Sequence, residues 1–206
     1  CGMNSQENGN IAMSENIIIA DADYVDSVAF NLIVNFERML NRALPKADFA
    51  QWAVCVALDG GVREGKNDVQ VVLIHDKQRE EMAHFEPGSF AHTLNAKAFN
   101  DAHLGEFMVT SVPTDDTISK ETYFEEVMET LLHHNEVKRV MLIPDSETGT
   151  AYDRLRQLLQ HADDDTKRIT LFAMEPMPGG NFRQELLGYS LMSALGIKSE
   201  EINQKI

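Results

Sequence analysis

Residues 16–23 have the sequence Asn-Ile-Ile-Ile-Ala-Asp-Ala-Asp, and the prediction of the fold starts from them. Their short apolar run, rich in β-branched isoleucine, is typical of a strand buried on both faces. Soon after it, starting from Val25, apolar residues recur at offsets 0, 3, 4, 7, 8, 11, 14 and 15, which is one stripe along a helix. A buried strand followed at once by an amphipathic helix indicates the first unit of an α/β fold.

The same alternation of apolar strand and helical stripe continues along the rest of the chain. Further buried strands are predicted at residues 69–74, 107–112, 140–143 and 168–173. Helical stripes are predicted at residues 49–57, 124–132, 152–159 and 182–195. Five apolar strands separated by helices predict a mostly parallel sheet with helices on both faces, which is a Rossmann-like three-layer α/β sandwich.

One domain is the default for a chain of 206 residues. The polar ends of the chain lack hydrophobic periodicity. In the rest of the chain, residues 77–105 have the weakest hydrophobic periodicity. We interpret residues 77–105 as a lid, an insertion or a small hairpin, with a short helix near residues 90–99. The prediction is therefore a flexible leader over residues 1–15, a single α/β domain over residues 16–197 and a polar tail over residues 198–206.

Acidic residues outnumber basic ones by 33 to 18, which gives a formal net charge of −15. A field of that sign repels phosphate backbones at long range. The neighbouring basic residues Lys138-Arg139 and Lys167-Arg168 are isolated pairs, and we predict no basic patch from them. Nucleic acid is therefore expected as a partner only if a metal ion assists its binding.

Cysteine usage and hydropathy indicate the compartment. The two cysteines, Cys1 and Cys55, predict neither a structural disulfide nor a zinc site, which fits reducing surroundings. The sequence has no run of about 18 apolar residues, so no membrane span is expected. We predict a cytoplasmic protein in which an upstream extension precedes a natural start at Met13, with a lipidated Cys1 as the minor alternative.

Acidic residues follow several predicted strands at the point where each strand ends. Asp21 and Asp23 follow the first strand, Asp116 the third, and Asp145 with Glu147 the fourth. Parallel strands place their carboxyl ends at one edge of the sheet, where open α/β sheets bind ligands. Crowded carboxylates share a proton or a cation, and Mg²⁺ prefers oxygen ligands. The predicted metal ligands are therefore Asp21, Asp23 and Asp145, for Mg²⁺ or Mn²⁺. The predicted catalytic residues that assist them are Asp116 and Glu147.

The same residue types also have a purely structural interpretation, because aspartates commonly cap helices and make turns. Asp26, Asp48, Asp116 and Asp145 can each be explained in that way. For the set of Asp21, Asp23 and Asp145 both interpretations remain open. The sequence has no glycine-rich dinucleotide motif, P-loop, nucleophile elbow or zinc spacing, so NAD, zinc and haem are not expected.

The order of strands and acidic turns resembles that of PIN/NYN-like nuclease domains. The resemblance is carried by Ile17-Ile-Ile-Ala-Asp-Ala-Asp23 and by Val140-Met-Leu-Ile-Pro-Asp-Ser-Glu147, which leads into the helix at residues 152–159. A final strand and helix at residues 169–173 and 182–195 complete it. The resemblance implies a Rossmann-like fold and a phosphodiesterase that cuts RNA with Mg²⁺ or Mn²⁺.

The chain departs from that family's pattern in the acidic turn, where Ser146-Glu-Thr-Gly149 lacks the usual second Asp and aromatic residue. It also resembles uncharacterised conserved bacterial proteins without an established activity. The sequence therefore does not determine the function, and a divalent-metal-dependent phosphodiesterase is the leading hypothesis. The alternatives are a non-catalytic scaffold domain that forms a homo-oligomer, and a small-molecule or nucleotide binder that uses residues 77–105 as a lid.

Overall fold

The computed structural model describes residues 13–115, 117–160, 162 and 167–205. Most of the predicted leader therefore lies outside the described residues. The helices are α1 (Ala22–Leu40), α2 (Phe49–Asp59), α3 (Lys120–Leu132), α4 (Ala151–Leu159), α5 (Gly188–Ala194) and α6 (Ser199–Lys205), with a π-helical turn at Phe90–Leu94. The strands are β1 (Asn16–Asp21), β2 (Ala47–Asp48), β3 (Asn67–Asp76), β4 (Phe85–Glu86), β5 (Lys97–Asp101), β6 (Gly105–Thr114), β7 (Arg139–Ile143), β8 (Arg168–Ala173) and β9 (Arg183–Leu186).

The main sheet has seven strands in the order β5-β6-β3-β1-β7-β8-β9. Every neighbouring pair is parallel except β5 and β6. The six parallel strands, counted along the chain, thus follow the order 3-2-1-4-5-6, in which the direction of winding reverses between β1 and β7. The predicted mostly parallel α/β sheet is confirmed, but it has seven strands and not five.

Helices cover both faces of the sheet, as the strand pattern predicted. All six residues of β1 are buried, because the strand lies at the centre of the sheet between two helical layers. One core, which includes Ile18, packs under α1, α2 and α5. The other core, which includes Ile17 and Ile19, packs under α3 and α4.

The predicted helix at residues 182–195 is wrong in its first part, which forms the edge strand β9. Its apolar residues match a helical stripe but belong to different cores. Phe182 packs against the core under α3 and α4, whereas Leu187 and Leu191 pack on the opposite face of the sheet. A single helix cannot reach both faces, so the chain crosses the edge of the sheet as a strand before α5 begins.

The segment at residues 77–105 contributes to the core. Its strand β4 pairs with β2 in a small parallel sheet, and Phe85 is buried against Trp52 with ring centroids 5.8 Å apart. Phe49 lies 5.6 Å from Trp52 and completes an aromatic cluster. The predicted helix near residues 90–99 is only the π-helical turn, after which the chain extends into β5. No helix within the described residues is long and apolar enough to cross a membrane.

We expect Phe85→Ala to lower the free energy of unfolding by about 3–5 kcal/mol, because it leaves a cavity beside Trp52. The matched control is Leu58→Ala, at a side chain of α2 that is 50% exposed, which should change stability by no more than about 0.5 kcal/mol. Trp52 is the single tryptophan, so its fluorescence during urea unfolding reports both values. Equal losses in the two variants would mean that residues 77–105 do not belong to the folded core.

Candidate functional site

The candidate site lies at the carboxyl ends of β1 and β7, where the strand order reverses. Open α/β sheets bind ligands in the crevice at this point. Asp21 ends β1, and Asp145 follows β7 closely. The sequence thus places its predicted acidic residues at the position where the fold favours a ligand.

Two aspartates from this edge share one lysine. Lys120 Nζ lies 3.2 Å from Asp21 Oδ1 and 3.1 Å from Asp23 Oδ2. Lys120 is the first residue of α3, whose N-cap is Ser119, and α3 begins shortly after β6 ends. The loop that follows β6 therefore delivers a positive charge to the turn that follows β1.

Each of the two carboxylates also has a structural partner. Asp21 is the N-cap of α1, and its Oδ1 accepts a hydrogen bond from the backbone N–H of Tyr24 at 3.1 Å. Asp23 Oδ2 accepts one from the backbone N–H of Asp76 at 2.8 Å, which ties the end of β3 to α1. These hydrogen bonds fix both carboxylates in place before any ligand arrives.

Burial dominates the electrostatics of this group. Asp21 is 5% exposed, and its burial raises the pKa of its carboxyl above the ordinary value, although Lys120 opposes the rise. Burial acts to lower the pKa of Lys120, but attraction to Asp21 and Asp23 outweighs it and the pKa is raised. Two ionised carboxylates facing one ammonium group leave a net negative charge at this edge of the sheet.

Tyr24 connects this group to the turn after β7. Its hydroxyl donates a hydrogen bond to Glu147 Oε2 at 2.6 Å and lies 3.4 Å from Ser146 Oγ. Burial raises the pKa of Tyr24, and the hydrogen bond to Glu147 raises it further, so the phenol keeps its proton. Glu147, a predicted catalytic residue, is thereby held at the rim beside α1.

Asp145 is engaged within its own turn. Its Oδ1 accepts hydrogen bonds from the backbone N–H groups of Glu147 and Thr148, each at 3.0 Å, and Thr148 Oγ donates to its Oδ2 at 2.6 Å.

Asp116, the other predicted catalytic residue, lies outside the described residues. Of the predicted site residues, the structure thus brings Asp21 and Asp23 together and holds Glu147 nearby. Within the described part of the chain, no group of three or more His, Cys, Asp or Glu side chains could hold a metal ion.

Lys120 and Tyr24 were missed by the sequence prediction. One signal for Lys120 was present: a lysine directly after the serine cap lies in the first turn of α3, where the helix dipole disfavours a positive charge. Such a lysine needs an acidic partner from elsewhere. Nothing in the sequence distinguishes Tyr24 from the apolar residues that line the same helix.

An open pocket of about 560 Å³ adjoins the site, between the ends of β3 and β6 and the segment that includes the π-helical turn. Its wall includes His75, which is buried and stacks on Phe90 with ring centroids 3.6 Å apart. Lys77, Arg79 and His92 also line it. Because the backbone N–H of Asp76 binds Asp23, the strand end that forms this wall also touches the carboxylate pair.

We expect Asp21→Asn to be more stable than the unchanged protein at pH 7. Asparagine keeps the N-cap, whereas the raised pKa of Asp21 means that its charged form weakens the fold. The folded state binds this proton more tightly than the unfolded state, so the penalty is absent below the ordinary carboxyl pKa. It grows as the pH rises through the raised pKa.

Urea unfolding between pH 3.5 and pH 8 measures this difference, with Asp48→Asn at the exposed cap of α2 as the control. A lower stability of Asp21→Asn at pH 7 would mean that the pairing with Lys120 outweighs the burial of Asp21.

Comparison with known proteins gives a family but no activity. No curated protein matches the chain, and no solved structure matches it. The family model described as "Family of unknown function (DUF6621)" matches residues 10–202, which is more than half of the chain. This agrees with the predicted likeness to an uncharacterised family. The chain therefore belongs to DUF6621.

Proposed function

We propose that the protein is a divalent-cation-dependent phosphodiesterase that works at the Asp21–Asp23 pair. One observation carries the proposal: an oxygen atom of each carboxylate lies within 3.2 Å of the same cationic atom, Lys120 Nζ. The two side chains already form a site for one positive charge. Oxygen donors of this kind suit Mg²⁺ or Mn²⁺.

The donor set fits a hard cation that keeps part of its water shell. Asp21 and Asp23 would hold the ion, which would polarise the phosphoryl group of the substrate and activate a water molecule.

Lys120, once displaced from the carboxylates, is long enough to bind a phosphate oxygen of the substrate. Glu147 can accept a proton from the attacking water, and the hydrogen bond from the Tyr24 hydroxyl orients the Glu147 carboxylate for this step. Asp145 becomes a third ligand only if its hydrogen bonds to Thr148 open.

The resemblance to PIN/NYN-like nucleases supports RNA as the substrate class. The net charge of −15 opposes RNA binding, so the cation has a second task, which is to reduce repulsion at the crevice. A phosphodiester held there would contact Lys120 and the ion together. The proposal thus predicts that substrate binds weakly without a divalent cation.

Calorimetric titration with MnCl₂ and MgCl₂ tests the cation site. We expect binding by the unchanged protein and a loss of at least about tenfold in affinity for Asp21→Asn and for Asp23→Asn. Asp48→Asn, at a cap on another helix, is the matched control and should bind as before. The absence of binding at millimolar metal would exclude the proposal.

Lys120→Met distinguishes the two proposed roles of the lysine, which are to occupy the cation position and to bind a phosphate oxygen of the substrate. We expect it to raise the affinity for Mn²⁺ by roughly tenfold, because the competing charge is gone. It should also lower the metal-dependent cleavage of a single-stranded RNA. Added Mn²⁺ should restore any melting temperature lost by this variant. An unchanged metal affinity in Lys120→Met would show that the lysine does not occupy the cation position.

The pocket beside the site favours a second candidate, a small-molecule or nucleotide binder. Lys77 and Arg79 line an open cavity of about 560 Å³ that is large enough for a mononucleotide. A thermal-shift screen of nucleotides and sugar phosphates tests it, and Arg79→Gln should abolish the shift while Arg42→Gln keeps it. A screen without any stabilising compound would count against this candidate. The self-associating scaffold stays a prediction.

A further inference from the structure

Four arginines gather at the end of the sheet opposite the carboxylate pair, and we call them the arginine cluster: Arg63, Arg139, Arg168 and Arg183. Arg139 and Arg168 are the first residues of β7 and β8 and lie directly opposite each other in the parallel register. Arg183 is the first residue of β9 and pairs with Thr170, so it lies on the same face of the sheet as Arg168. Arg63 approaches from the turn after α2 and adds to the repulsion at Arg139.

The cluster is costly for the isolated chain. Like charges directly opposite each other destabilise a sheet. Burial lowers the pKa of Arg139, and repulsion from the other three arginines lowers it further. The chain has 33 acidic residues, yet within the described residues the guanidinium groups of Arg63, Arg168 and Arg183 have no hydrogen bond and no ion pair.

Two other arginines of the same chain are paired with acids. Arg42 binds Glu201 at 2.9 Å, and Arg154 binds Glu125 at 2.7 Å. Arg38, Arg79 and Arg156 also form no ion pair with an acid among the described residues, so the cluster differs from the other arginines in the grouping of its side chains. Guanidinium groups held close together in this way create a local positive potential that favours an anion.

Arg139 anchors the cluster. Its Nη1 donates to the carbonyl oxygen of Gly60 at 3.1 Å, at the carboxyl end of α2 where the helix dipole favours a cation. A Cβ atom on Gly61 would lie 2.6 Å from Arg139 Nη1, so the glycine leaves room for this guanidinium. The other three side chains are exposed and can reach a ligand above the anchor.

We propose that the arginine cluster binds a small ligand that carries two or more phosphate groups. Guanidinium groups match phosphate oxygens with paired hydrogen bonds, and neighbouring strands lie about 4.8 Å apart, so arginines on three strands span about 10 Å. Asp59 directly precedes Gly60, which binds Arg139, and Glu185 lies two residues after Arg183 in β9. Burial and then Glu185 raise the pKa of Asp59. These carboxylates would repel a longer phosphate chain that extended toward them, so we expect a short ligand.

This site is independent of the carboxylate pair, since it lies at the amino ends of β7 and β8 and on different residues. An inorganic oligophosphate and a nucleoside diphosphate carry the same recognised group. The test therefore uses both, together with a single-stranded RNA. No divalent metal is added, so that binding at Asp21 and Asp23 does not contribute.

Titration calorimetry at low salt with inorganic triphosphate is the direct experiment. We expect micromolar binding by the unchanged protein and a loss of at least about tenfold in the double variant Arg168→Gln/Arg183→Gln, which leaves the anchor Arg139 intact. Arg42→Gln, at an exposed arginine on another surface, is the matched control and should bind as before. ADP that binds as well as triphosphate would assign a nucleotide, and weaker ADP would assign the inorganic oligophosphate.

Three results would overturn the proposal: no binding of triphosphate, equal binding by the double variant, or tighter binding of a 12-nucleotide RNA through the same arginines. A shift in oligomeric state in the double variant, seen by sedimentation, would likewise overturn it in favour of contact with a second copy. The variant Asp21→Asn/Asp23→Asn should bind triphosphate normally. Its result separates this site from the proposed metal site.

Discussion

The pairing of Lys120 with Asp21 and Asp23 is the interaction on which the arrangement at the sheet edge depends. It joins the start of α3 to the junction between the central strand β1 and the helix α1, which α3 follows about 80 residues later in the chain. The backbone of Asp76 adds the end of β3 through Asp23. Without the lysine, the two carboxylates would face each other across a buried crevice, and the free energy of unfolding would fall.

Such a group is an expensive way to hold a fold together. Taking charges out of water costs several kcal/mol for each ion, and a pair often returns less than well-packed apolar side chains would. The pKa of Asp21 is raised because its burial destabilises the charged carboxylate. The sites where a protein retains such charges are frequently sites of function, because binding or chemistry needs them. The carboxylate pair lies at the strand-order reversal, where open α/β sheets bind their ligands, so its position favours a role in ligand binding.

The sequence predicted the layers well because hydrophobic periodicity reports burial directly. The β1 run, the α1 stripe and the cap at Asp48 all lie in the structure as their local pattern indicated. Edge strands were less visible: β9 is exposed along most of its length, and its neighbouring apolar residues serve two different cores. Local pattern cannot reveal which core a side chain joins.

Contacts between distant residues were the hardest to predict. Arg139 and Arg168 are only parts of two isolated basic pairs in the sequence, but strand pairing puts them side by side. Asp145 could be seen as either a ligand or a turn residue, and its hydrogen bonds lie within its own turn. The third member at the sheet edge, Lys120, comes from 97 residues beyond Asp23. Only the folded topology could bring these groups together.

We propose that Asp21 and Asp23 form a cation site in which Lys120 competes with a divalent ion. A crystal structure of the protein soaked in millimolar Mn²⁺, with anomalous scattering recorded, tests it most directly. We expect an anomalous peak at about 2.1 Å from an oxygen of both carboxylates, with the lysine ammonium moved away. A lysine that stays between the two aspartates, with no peak beside them, would contradict it.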